Sequence, residues 1–382
     1  MRCISLHLGE RVHGANSAKC SSTLRYLEIV NPIHNRRLIV PILEGVGLIF
    51  GMHQKFHEHD AGTSHPERPE RLSAVLSGIG EAHLGEAVEF FAPTPAPIDI
   101  LYRVHDKAYV DALRRFCLMG GGRLDPDTSV SEASWDAAIL AAGSGLDAIA
   151  RLDRGEAESA FLAVRPPGHH AVIDRAMGFC LINNVAVAAR ALADRGERVL
   201  IVDFDAHHGN GTQDIFYSDP SVLYASFHQY PLYPGTGRAS EVGKGEGLGR
   251  TINIPLPAGS TIGTYRAAID QIISPEVELF SPTWVLISAG FDSHYIDPLT
   301  DLGLTSFDYR IFIDWLFSLV PTGKRIVFLE GGYDLDALRV STAETLAAMV
   351  GEGFGFEKSS SEEADLKTIE AIRTARARSL EL

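Results

Sequence analysis

The residues most able to do chemistry lie where acidic side chains and histidines follow an apolar segment. Residues 199–202 are aliphatic and rich in β-branching, and they predict a buried strand of a parallel sheet. Asp203, Asp205 and His207 follow at alternate positions, so an extended backbone turns their side chains the same way. Open α/β sheets carry ligands at such strand ends. Carboxylates with an imidazole suit a divalent metal, zinc above all, whereas the alternative is a strand that simply ends in surface acids.

Three further polar clusters follow predicted strands. The loop 165–171 is fixed by proline and glycine and presents the adjacent histidines His169 and His170. Asp292 ends a second strand, and Tyr333 follows a third strand and two glycines. Parallel strands would bring these side chains to one edge of the sheet. The sequence therefore predicts a site that combines carboxylates, imidazoles and a phenol.

Strand and helix patterns alternate along most of the chain, which predicts a single-domain α/β fold. We expect three layers, α/β/α, with helices on both faces of a central, mostly parallel sheet. Strands are predicted at 45–51, 161–164, 199–203, 222–227, 251–255, 284–289 and 325–329. Helices are predicted at 67–79, 106–119, 134–152, 183–195, 260–273, 306–320 and 335–350.

The regular pattern covers residues 45–350, which we assign to one catalytic domain. Residues 1–44 are poorly patterned and predict an N-terminal extension of uncertain structure, a small added element, or a start codon placed too early. Residues 351–382 form a charged C-terminal tail that could be helical but is expected to be peripheral.

Composition narrows the function and the location. The formal net charge of −15 argues against direct nucleic-acid binding and mildly favours a cationic substrate. The four cysteines show no paired spacing, which indicates a reducing, cytoplasmic environment. No apolar run reaches the length of a membrane span, and no secretory signal is visible, so no membrane partner is expected. A homo-oligomer is left open.

Taken in order, these motifs resemble the zinc-dependent histone deacetylase family, which includes acetylpolyamine amidohydrolases and bacterial deacetylase-like amidohydrolases. The resemblance runs from about Gly47 to Val350. It rests on HPERPERL at 65–72, LDPDTSVS at 124–131, RPPGHHA at 165–171, GFCLINNVAVAA at 178–189, DFDAHHGNGTQDIFY at 203–217, YPGTG at 233–237, AGFD at 289–292 and LEGGY at 329–333. It implies the arginase/deacetylase fold and hydrolysis of acetyl or acyl amides of lysine or related amines. The histidine motif, and Asn210 in place of Asp, are similar to the class II branch.

The resemblance implies one Zn²⁺ per chain, held by Asp205, His207 and Asp292. Positions open to water and to a substrate carbonyl would remain on that metal. His169 and His170 match the family's tandem histidines. His170 is expected to act as general base and then general acid, and His169 to act mainly through its charge.

The residues around this centre have implied supporting roles. Asp203 would orient His169, and Asn210 would contact His170, leaving it less basic than a carboxylate partner would. Tyr333 matches the tyrosine that stabilises the oxyanion. A structural K⁺ is also implied, with Asp203, Ser226 and Phe227 among its ligands, alongside main-chain oxygens of Asp205 and His207.

Substrate contacts follow from the same resemblance. Phe179 and Tyr233 match paired aromatic walls of an acyl-lysine tunnel, with Gly178 close to the alkyl chain and Leu299 at the rim. Arg71 matches an internal arginine linked to acetate release, although it could equally be a solvated helix residue. Ordinary core packing is the alternative for the two aromatic side chains.

Two features are expected to have no chemical role. The histidines His53, His57, His59 and His65 fall close together but match an entry loop, so a second structural metal is not favoured. The glycine-rich run 243–249 lacks the strand-before, helix-after context of a phosphate loop and predicts a connector.

Other functions remain open at this point. An acetylpolyamine amidohydrolase is the main alternative, although the long insertion that such enzymes commonly carry before the His-His loop is absent here. A binuclear manganese ureohydrolase is less favoured, since Gly209 stands where its second Asp would fall and Asp292 is followed by Ser293 and His294. A non-catalytic acetyl-lysine reader is disfavoured because Tyr333 and both histidines are present.

Overall fold

The computed structural model describes residues 25–30, 37–42 and 46–381. The chain divides into two compact units between Val46 and Gly47. In the first unit, β1 (Arg25–Val30) pairs antiparallel with β2 (Arg37–Ile42). This pair lies in the segment for which the sequence showed no regular pattern. The rest of the predicted extension lies outside the described residues, so its three interpretations stay open.

The second unit is built on an eight-stranded sheet. Its strands are β3 (Val46–Gly51), β4 (Val88–Phe91), β7 (Ala157–Leu162), β8 (Val199–Asp203), β9 (Val222–Gln229), β10 (Thr251–Leu256), β11 (Trp284–Ala289) and β12 (Arg325–Leu329). Their order across the sheet is β10-β9-β8-β11-β12-β7-β3-β4. A separate small antiparallel pair joins β5 (Gly121–Arg123) to β6 (Ser129–Ser131).

Helices occupy most of the connections. They are α1 (Glu70–Ala82), α2 (Ile98–Leu101), α3 (Lys107–Leu118), α4 (Ser134–Asp153), α5 (Asn184–Ala193), α6 (Asn210–Phe216), α7 (Ile262–Ala268), α8 (Ser274–Phe280), α9 (Asp308–Ser318), α10 (Leu335–Met349) and α11 (Leu366–Leu380). A π-helical turn, Ile269–Ile273, joins α7 to α8. Among the described residues, no helix combines the length and apolarity that crossing a membrane requires.

The central strands are parallel and covered on both faces. Neighbouring strands from β10 through β7 pair in parallel, as do β3 and β4. Every residue of β8, β9 and β11 is buried, as expected where helices cover both faces of a parallel sheet. The helices form contacting groups, one of α1, α9 and α10 and another of α3, α4 and α5. The predicted mostly parallel α/β fold is confirmed.

The register of the central strands brings their carboxyl ends together. Asp203 at the end of β8 lies opposite Ser288 on β11 and Ser226 on β9. Ala289 lies opposite Leu329, the last residue of β12. The three loops that carry the chemical motifs therefore leave the sheet at one edge, which is what positions the site.

Strand β4 and helix α6 were not predicted from the sequence. Strand β4 lies at the edge of the sheet with two of its four residues exposed, so it lacks a strong apolar pattern. Helix α6 has seven residues and begins at Asn210, three residues after His207. In the charged tail, α11 belongs to the second compact unit and buries Ile369 and Ile372.

Candidate active site

Asp205, His207 and Asp292 form a buried cluster at the carboxyl edge of the sheet. The first two follow β8 and the third follows β11. The Nδ1 atom of His207 lies 3.2 Å from Oδ1 of Asp205 and 2.9 Å from Oδ2 of Asp292. One ligand atom from each side chain lies within 4.8 Å of the others. The strand ends thus direct two carboxylates and one imidazole at a single point.

Backbone groups hold the two carboxylates in place. The amide of Ala206 donates to Oδ1 of Asp292 at 2.9 Å, and the amide of Gly331 donates to Oδ2 of Asp205 at 2.8 Å. A Cβ atom on Gly331 would lie 2.5 Å from Asp292 Oδ2, so a side chain there would displace the cluster. The glycine after Glu330 is therefore required by close approach.

The electrostatics of the cluster suit a cation. Burial, reinforced by the negative charge of Asp205, raises the pKa of the Asp292 carboxyl above its ordinary range. Two buried carboxylates this close need positive charge between them, and a divalent metal supplies it. Two carboxylates and one imidazole, with further coordination positions open, are a donor set that fits zinc. The residues present therefore fit the metal that the sequence implied.

The adjacent histidines have different partners. The Nδ1 atom of His169 lies 3.0 Å from Oδ2 of Asp203, which also accepts a hydrogen bond from the Tyr224 hydroxyl at 3.1 Å. The Nδ1 atom of His170 lies 2.8 Å from Oδ1 of Asn210. Because an amide oxygen only accepts, Nδ1 of His170 carries the proton and Nε2 is left with a lone pair. Each contact matches the pairing expected from the sequence.

The two imidazoles have pKa values shifted in opposite directions. Although burial acts to lower it, the carboxylates of Asp205, Asp203 and Glu330 raise the pKa of His169 to about 10. Burial, together with the positive charge of His169, lowers the pKa of His170 well below 6.5. His169 is thus a cation near neutral pH and His170 is neutral. Only His170 is free to accept a proton.

Tyr333 lies in the loop after β12 and keeps its proton. Its ring contacts Phe179 edge-on, with centroids 5.8 Å apart. Burial, with the charges of Asp292 and Asp205, raises the pKa of Tyr333 well above 10. The backbone amide of Tyr333 donates to Oδ2 of Asp297 at 2.7 Å. The phenol is therefore a hydrogen-bond donor at every physiological pH.

Three of the predicted substrate contacts, Phe179, Tyr233 and Leu299, are more exposed than the cluster of Asp205, His207 and Asp292. The Tyr233 ring meets the His170 ring edge-on at 5.2 Å and is 37% exposed, while Leu299 is 36% exposed. Gly178 and Phe179 both have positive φ, at 56° and 68°. A Cβ on Gly178 would lie 2.4 Å from Cδ2 of His170, so glycine is required there.

Arg71 lies inside the protein rather than on a solvated helix face. It is fully buried on α1, and its Nε donates to the Gly332 carbonyl at 2.7 Å. It pairs with Glu67 at 3.1 Å, and its guanidinium lies over the Tyr333 ring at 5.1 Å. The alternative of a solvated residue is therefore wrong. Arg71 supports the loop that carries the tyrosine.

The residues implied for K⁺ are neighbours in the sheet. Ser226 on β9 is in register with Asp203 on β8, and Phe227 follows it. All three are fully buried. The Ser226 hydroxyl lies 2.9 Å from Nδ1 of His228. The two side chains that could contribute to a cation site are thus adjacent.

Sequence reasoning missed three side chains that accept backbone amides of predicted site residues, namely the carboxylates of Asp127 and Asp297 and the hydroxyl of Thr128. Oδ1 of Asp127 accepts from the Gly178 amide at 3.2 Å, and the Thr128 hydroxyl accepts from the Phe179 amide at 3.1 Å. Asp297 receives the Tyr333 amide, as described above. The fragments PDT and DPL contain these residues, but nothing in their spacing indicates a partner far along the chain.

The four clustered histidines do not converge on a metal site. Nδ1 of His59 lies 2.7 Å from the Ser134 hydroxyl, and Nε2 of His65 lies 3.1 Å from the Asp127 carbonyl. Nδ1 of His53 accepts from the Lys55 amide at 3.1 Å. Among the described residues, none of the four belongs to a group able to hold a metal. The run 243–249 contains one 3₁₀ turn, Gly245–Gly247.

Known proteins are similar to this chain in sequence and in fold. Residues 65–349 match the histone deacetylase domain family. A probable deacetylase of Archaeoglobus fulgidus is 40% identical over 315 residues, covering 80% of this chain and 86% of that protein. The chloroplastic histone deacetylase 14 of Arabidopsis thaliana is 38% identical over 315 residues, covering 76% and 74%. The crystal structure of the HDA15 HD domain superposes with a TM-score of 0.80 at 35% identity, covering 88% of this chain and 96% of that one. With a deacetylase domain matched over most of its length and the fold to go with it, this chain belongs to the histone deacetylase family and is a deacetylase enzyme.

Proposed function

We propose that the protein is a zinc-dependent hydrolase that removes acetyl groups from N-acetylated lysine side chains. The proposal rests on one observation above all. The cluster of Asp205, His207 and Asp292 meets a neutral imidazole, His170, and a protonated phenol, Tyr333, at one edge of the sheet. Amide hydrolysis needs a group that polarises the carbonyl, a proton acceptor and a hydrogen-bond donor to the oxyanion. A metal at the cluster, His170 and Tyr333 would supply these in turn.

One Zn²⁺ per chain would be held by Asp205, His207 and Asp292. A zinc ion held there would polarise an amide carbonyl and lower the pKa of a bound water. The chain's own contribution is a buried donor set that the Ala206 and Gly331 amides keep in position.

His170 would carry the proton transfers. Its Nε2 lone pair accepts the proton of the attacking water, and the resulting N–H then donates to the leaving amine. Asn210 fixes the tautomer by accepting from Nδ1 at 2.8 Å. An amide partner does not stabilise the imidazolium as a carboxylate would, so His170 returns its proton readily. His169, whose ring lies 3.0 Å from the Asp203 carboxylate, would stabilise negative charge beside it as a cation.

Tyr333 would donate its hydroxyl proton in a hydrogen bond to the oxygen that becomes negative when water attacks. The phenol keeps its proton because of burial, so it stays a donor throughout the reaction. A donor directed at developing charge acts mainly in the transition state. The buried Arg71 beneath the ring supports the tyrosine and would line the route for the acetate product.

The tunnel would select a long, uncharged alkyl chain. Phe179, whose ring contacts Tyr333, and Tyr233, whose ring contacts His170, would be its apolar walls, with Gly178 close to the chain. Burial of four methylene groups is worth about 0.8 kcal/mol each, about 3 kcal/mol in total. Leu299 at the rim would contact whatever follows the acyl-lysine, either a peptide or the rest of a polyamine.

A single metal is favoured over a binuclear centre. The residue that could supply a further donor, His294, lies with Nε2 at 3.2 Å from Glu357 and from Ser306 instead. Gly209 cannot supply a carboxylate, and a Cβ there would lie 2.1 Å from Asp203 Oδ2. Two tightly bound manganese ions per chain would contradict this assignment.

The deciding experiment compares substrates with the metal-loaded enzyme. Turnover of an acetyl-lysine peptide is measured against an acetylated polyamine, before and after chelation and zinc addition. We expect about one zinc per chain, loss of turnover on chelation, and a higher kcat/KM for the peptide. A preference for the polyamine would instead favour the acetylpolyamine amidohydrolase, and bound acetyl-lysine without turnover would favour a reader.

Two further assignments accompany this function. A structural K⁺ at Asp203, Ser226 and Phe227 is supported by the pairing of the first two in adjacent strands. We expect replacement of K⁺ by choline to lower the melting temperature. A cytoplasmic, reducing location is supported by Cys117 and Cys180, which are buried and unbonded.

A further inference from the structure

Glu330 is a buried carboxylate that the proposed mechanism does not use. It follows β12 and is completely shielded from solvent. One carboxylate oxygen, Oε2, accepts from the backbone amides of Gly168 at 2.7 Å and His169 at 3.1 Å. The other, Oε1, accepts from the Ser288 hydroxyl at 3.1 Å. An ordinary core position does not need a carboxylate, since burying one is costly unless it is fully hydrogen-bonded.

The backbone of Glu330 is tied to the metal side of the site. Its amide donates to the Ala289 carbonyl at 2.9 Å, and its carbonyl accepts from the Arg71 guanidinium. The next residue, Gly331, donates to the Asp205 carboxylate. Tyr333 follows two residues later. Glu330 therefore joins the strand ends that carry the metal ligands to the loop that carries the histidines.

The histidine loop depends on this connection for its position. The amides of Gly168 and His169 are the two backbone donors immediately before His170, and both are used by the Glu330 carboxylate. The loop is tightly packed, because a Cβ on Gly168 would lie 2.5 Å from the Asn184 amide nitrogen. A shift of the carboxylate would therefore shift the His169–His170 backbone against Asp205 and Tyr333.

We propose that Glu330, anchored by Ser288, is a positioning residue that sets the distance between the proton-transferring His170 and the metal ligands. The inference rests on the proposed function of His170. Glu330 acts through the two hydrogen bonds that it accepts from the loop, and its negative charge is secondary. A structural filler would affect stability alone.

Two substitutions separate position from charge. In Glu330→Gln, the amide oxygen has two lone pairs for the amides of Gly168 and His169, and its NH₂ group can donate to Ser288. This substitution keeps the length of the side chain and removes its negative charge. In Glu330→Asp, charge is kept, but the side chain is one methylene shorter and cannot hold the loop at the same distance. If Glu330 acts by positioning, kcat should be higher in Glu330→Gln than in Glu330→Asp. If it acts through its charge, the order should be reversed.

The measurements are kcat, KM and zinc content on the folded, zinc-loaded enzyme. We expect Glu330→Asp to lower kcat by about 10²-fold, the loss typical of a small misplacement of a catalytic group, with KM and zinc content unchanged. Glu330→Gln should keep kcat close to that of the parent protein. A kcat in Glu330→Gln as low as in Glu330→Asp, or an unchanged kcat in Glu330→Asp, would overturn the proposal.

Glu344 provides the matched control. It is also a fully buried glutamate, on α10, and it accepts the Phe356 amide at 2.8 Å. Glu344→Asp and Glu344→Gln should change the melting temperature but not kcat. If Glu330→Asp does not fold, Ser288→Ala takes its place by releasing the carboxylate from its anchor. It should lower kcat by about tenfold with KM unchanged, a milder form of the same misplacement, and a normal kcat would contradict the proposal.

A readout without substrate separates this inference from the proposed function. Crystal structures of both variants report the distance from His170 Nδ1 to Asn210 Oδ1, which is 2.8 Å here. Positioning predicts that this contact is lost in Glu330→Asp and kept in Glu330→Gln. If the loop stays in place in both, Glu330 does not position it. If the loop moves but acetyl-lysine is never hydrolysed, the proposed function fails and the positioning role stands.

Discussion

The floor of the site and its mouth are built differently. The floor consists of Asp205, His207, Asp292 and His170, which are nearly inaccessible to solvent and have hydrogen-bond partners at defined distances. The mouth consists of Phe179, Tyr233 and Leu299, whose apolar side chains are partly exposed.

The contrast indicates a division of labour. Directional bonds between buried groups fix the floor to fractions of an ångström, which chemistry requires. Contacts at the mouth are dispersion and area burial, which tolerate variation. Substitutions in the floor should therefore change metal binding or kcat, and substitutions in the mouth should change KM.

The strongest test of the floor is Asp292→Ala. It removes one of the three proposed zinc ligands and leaves His207 with one carboxylate partner, so we expect loss of stoichiometric zinc and of all measurable turnover. Metal analysis and a peptide deacetylation assay measure both. The exposed Asp314→Ala is the matched control and should retain both. Full activity without bound metal would refute this view of the floor.

Tyr333→Phe should have the next largest effect. Removing one oxyanion donor typically lowers kcat by about 10²–10³-fold. Zinc content and substrate affinity should change little, since the donor acts mainly on the transition state. Tyr102→Phe, which removes a hydroxyl that donates to Asp111 far from the floor, should be silent. A near-normal kcat for Tyr333→Phe would mean that another donor stabilises the oxyanion.

The pH dependence sharpens the comparison within the floor. His170 must be neutral to accept a proton, and its pKa is lowered well below 6.5, so the acidic limb of kcat/KM should lie below pH 6.5. In Asn210→Asp, a carboxylate would stabilise the protonated imidazole and raise its pKa. The acidic limb should then move to higher pH by about one to three units. An unmoved limb would show that another group is the base.

Tyr233→Ala tests the mouth. Losing one wall of the proposed tunnel should raise KM about tenfold, equivalent to about 1.4 kcal/mol, with kcat changed much less. Leu299→Ala, at the rim, should have a smaller effect in the same direction. Steady-state kinetics on peptides of different length would measure both. A fall in kcat as large as that of Tyr333→Phe would break the distinction between mouth and floor.

Deleting residues 1–40 should have the smallest effect. The floor and the mouth both lie in the compact unit that begins at Gly47, and the motif-bearing pattern begins near Gly45. The truncated protein should keep its melting temperature and kcat/KM. Insolubility or loss of activity would show that the extension is part of the fold and that the predicted domain boundary is misplaced.

The sequence alone indicated most of the floor and the class of the fold. Alternation of strand and helix patterns predicted the parallel sheet, because buried strands are continuous apolar runs. The period of two along an extended chain turned Asp205 and His207 the same way. The carboxyl ends of parallel strands meet at one edge, which added Asp292 and Tyr333. Each of these inferences needs local spacing and one topological rule.

Tertiary structure decided the contacts between segments that are distant in sequence. Glu330 receives amides 161 and 162 residues earlier in the chain, and Asp297 receives the amides that follow Gly332. Helix α11 buries Ile369 and Ile372, although the C-terminal tail in which it lies is charged and weakly patterned. The difference in pKa between His169 and His170 depends on which carboxylates surround each ring. Such properties come from three-dimensional distance, for which periodicity and motif order carry no information.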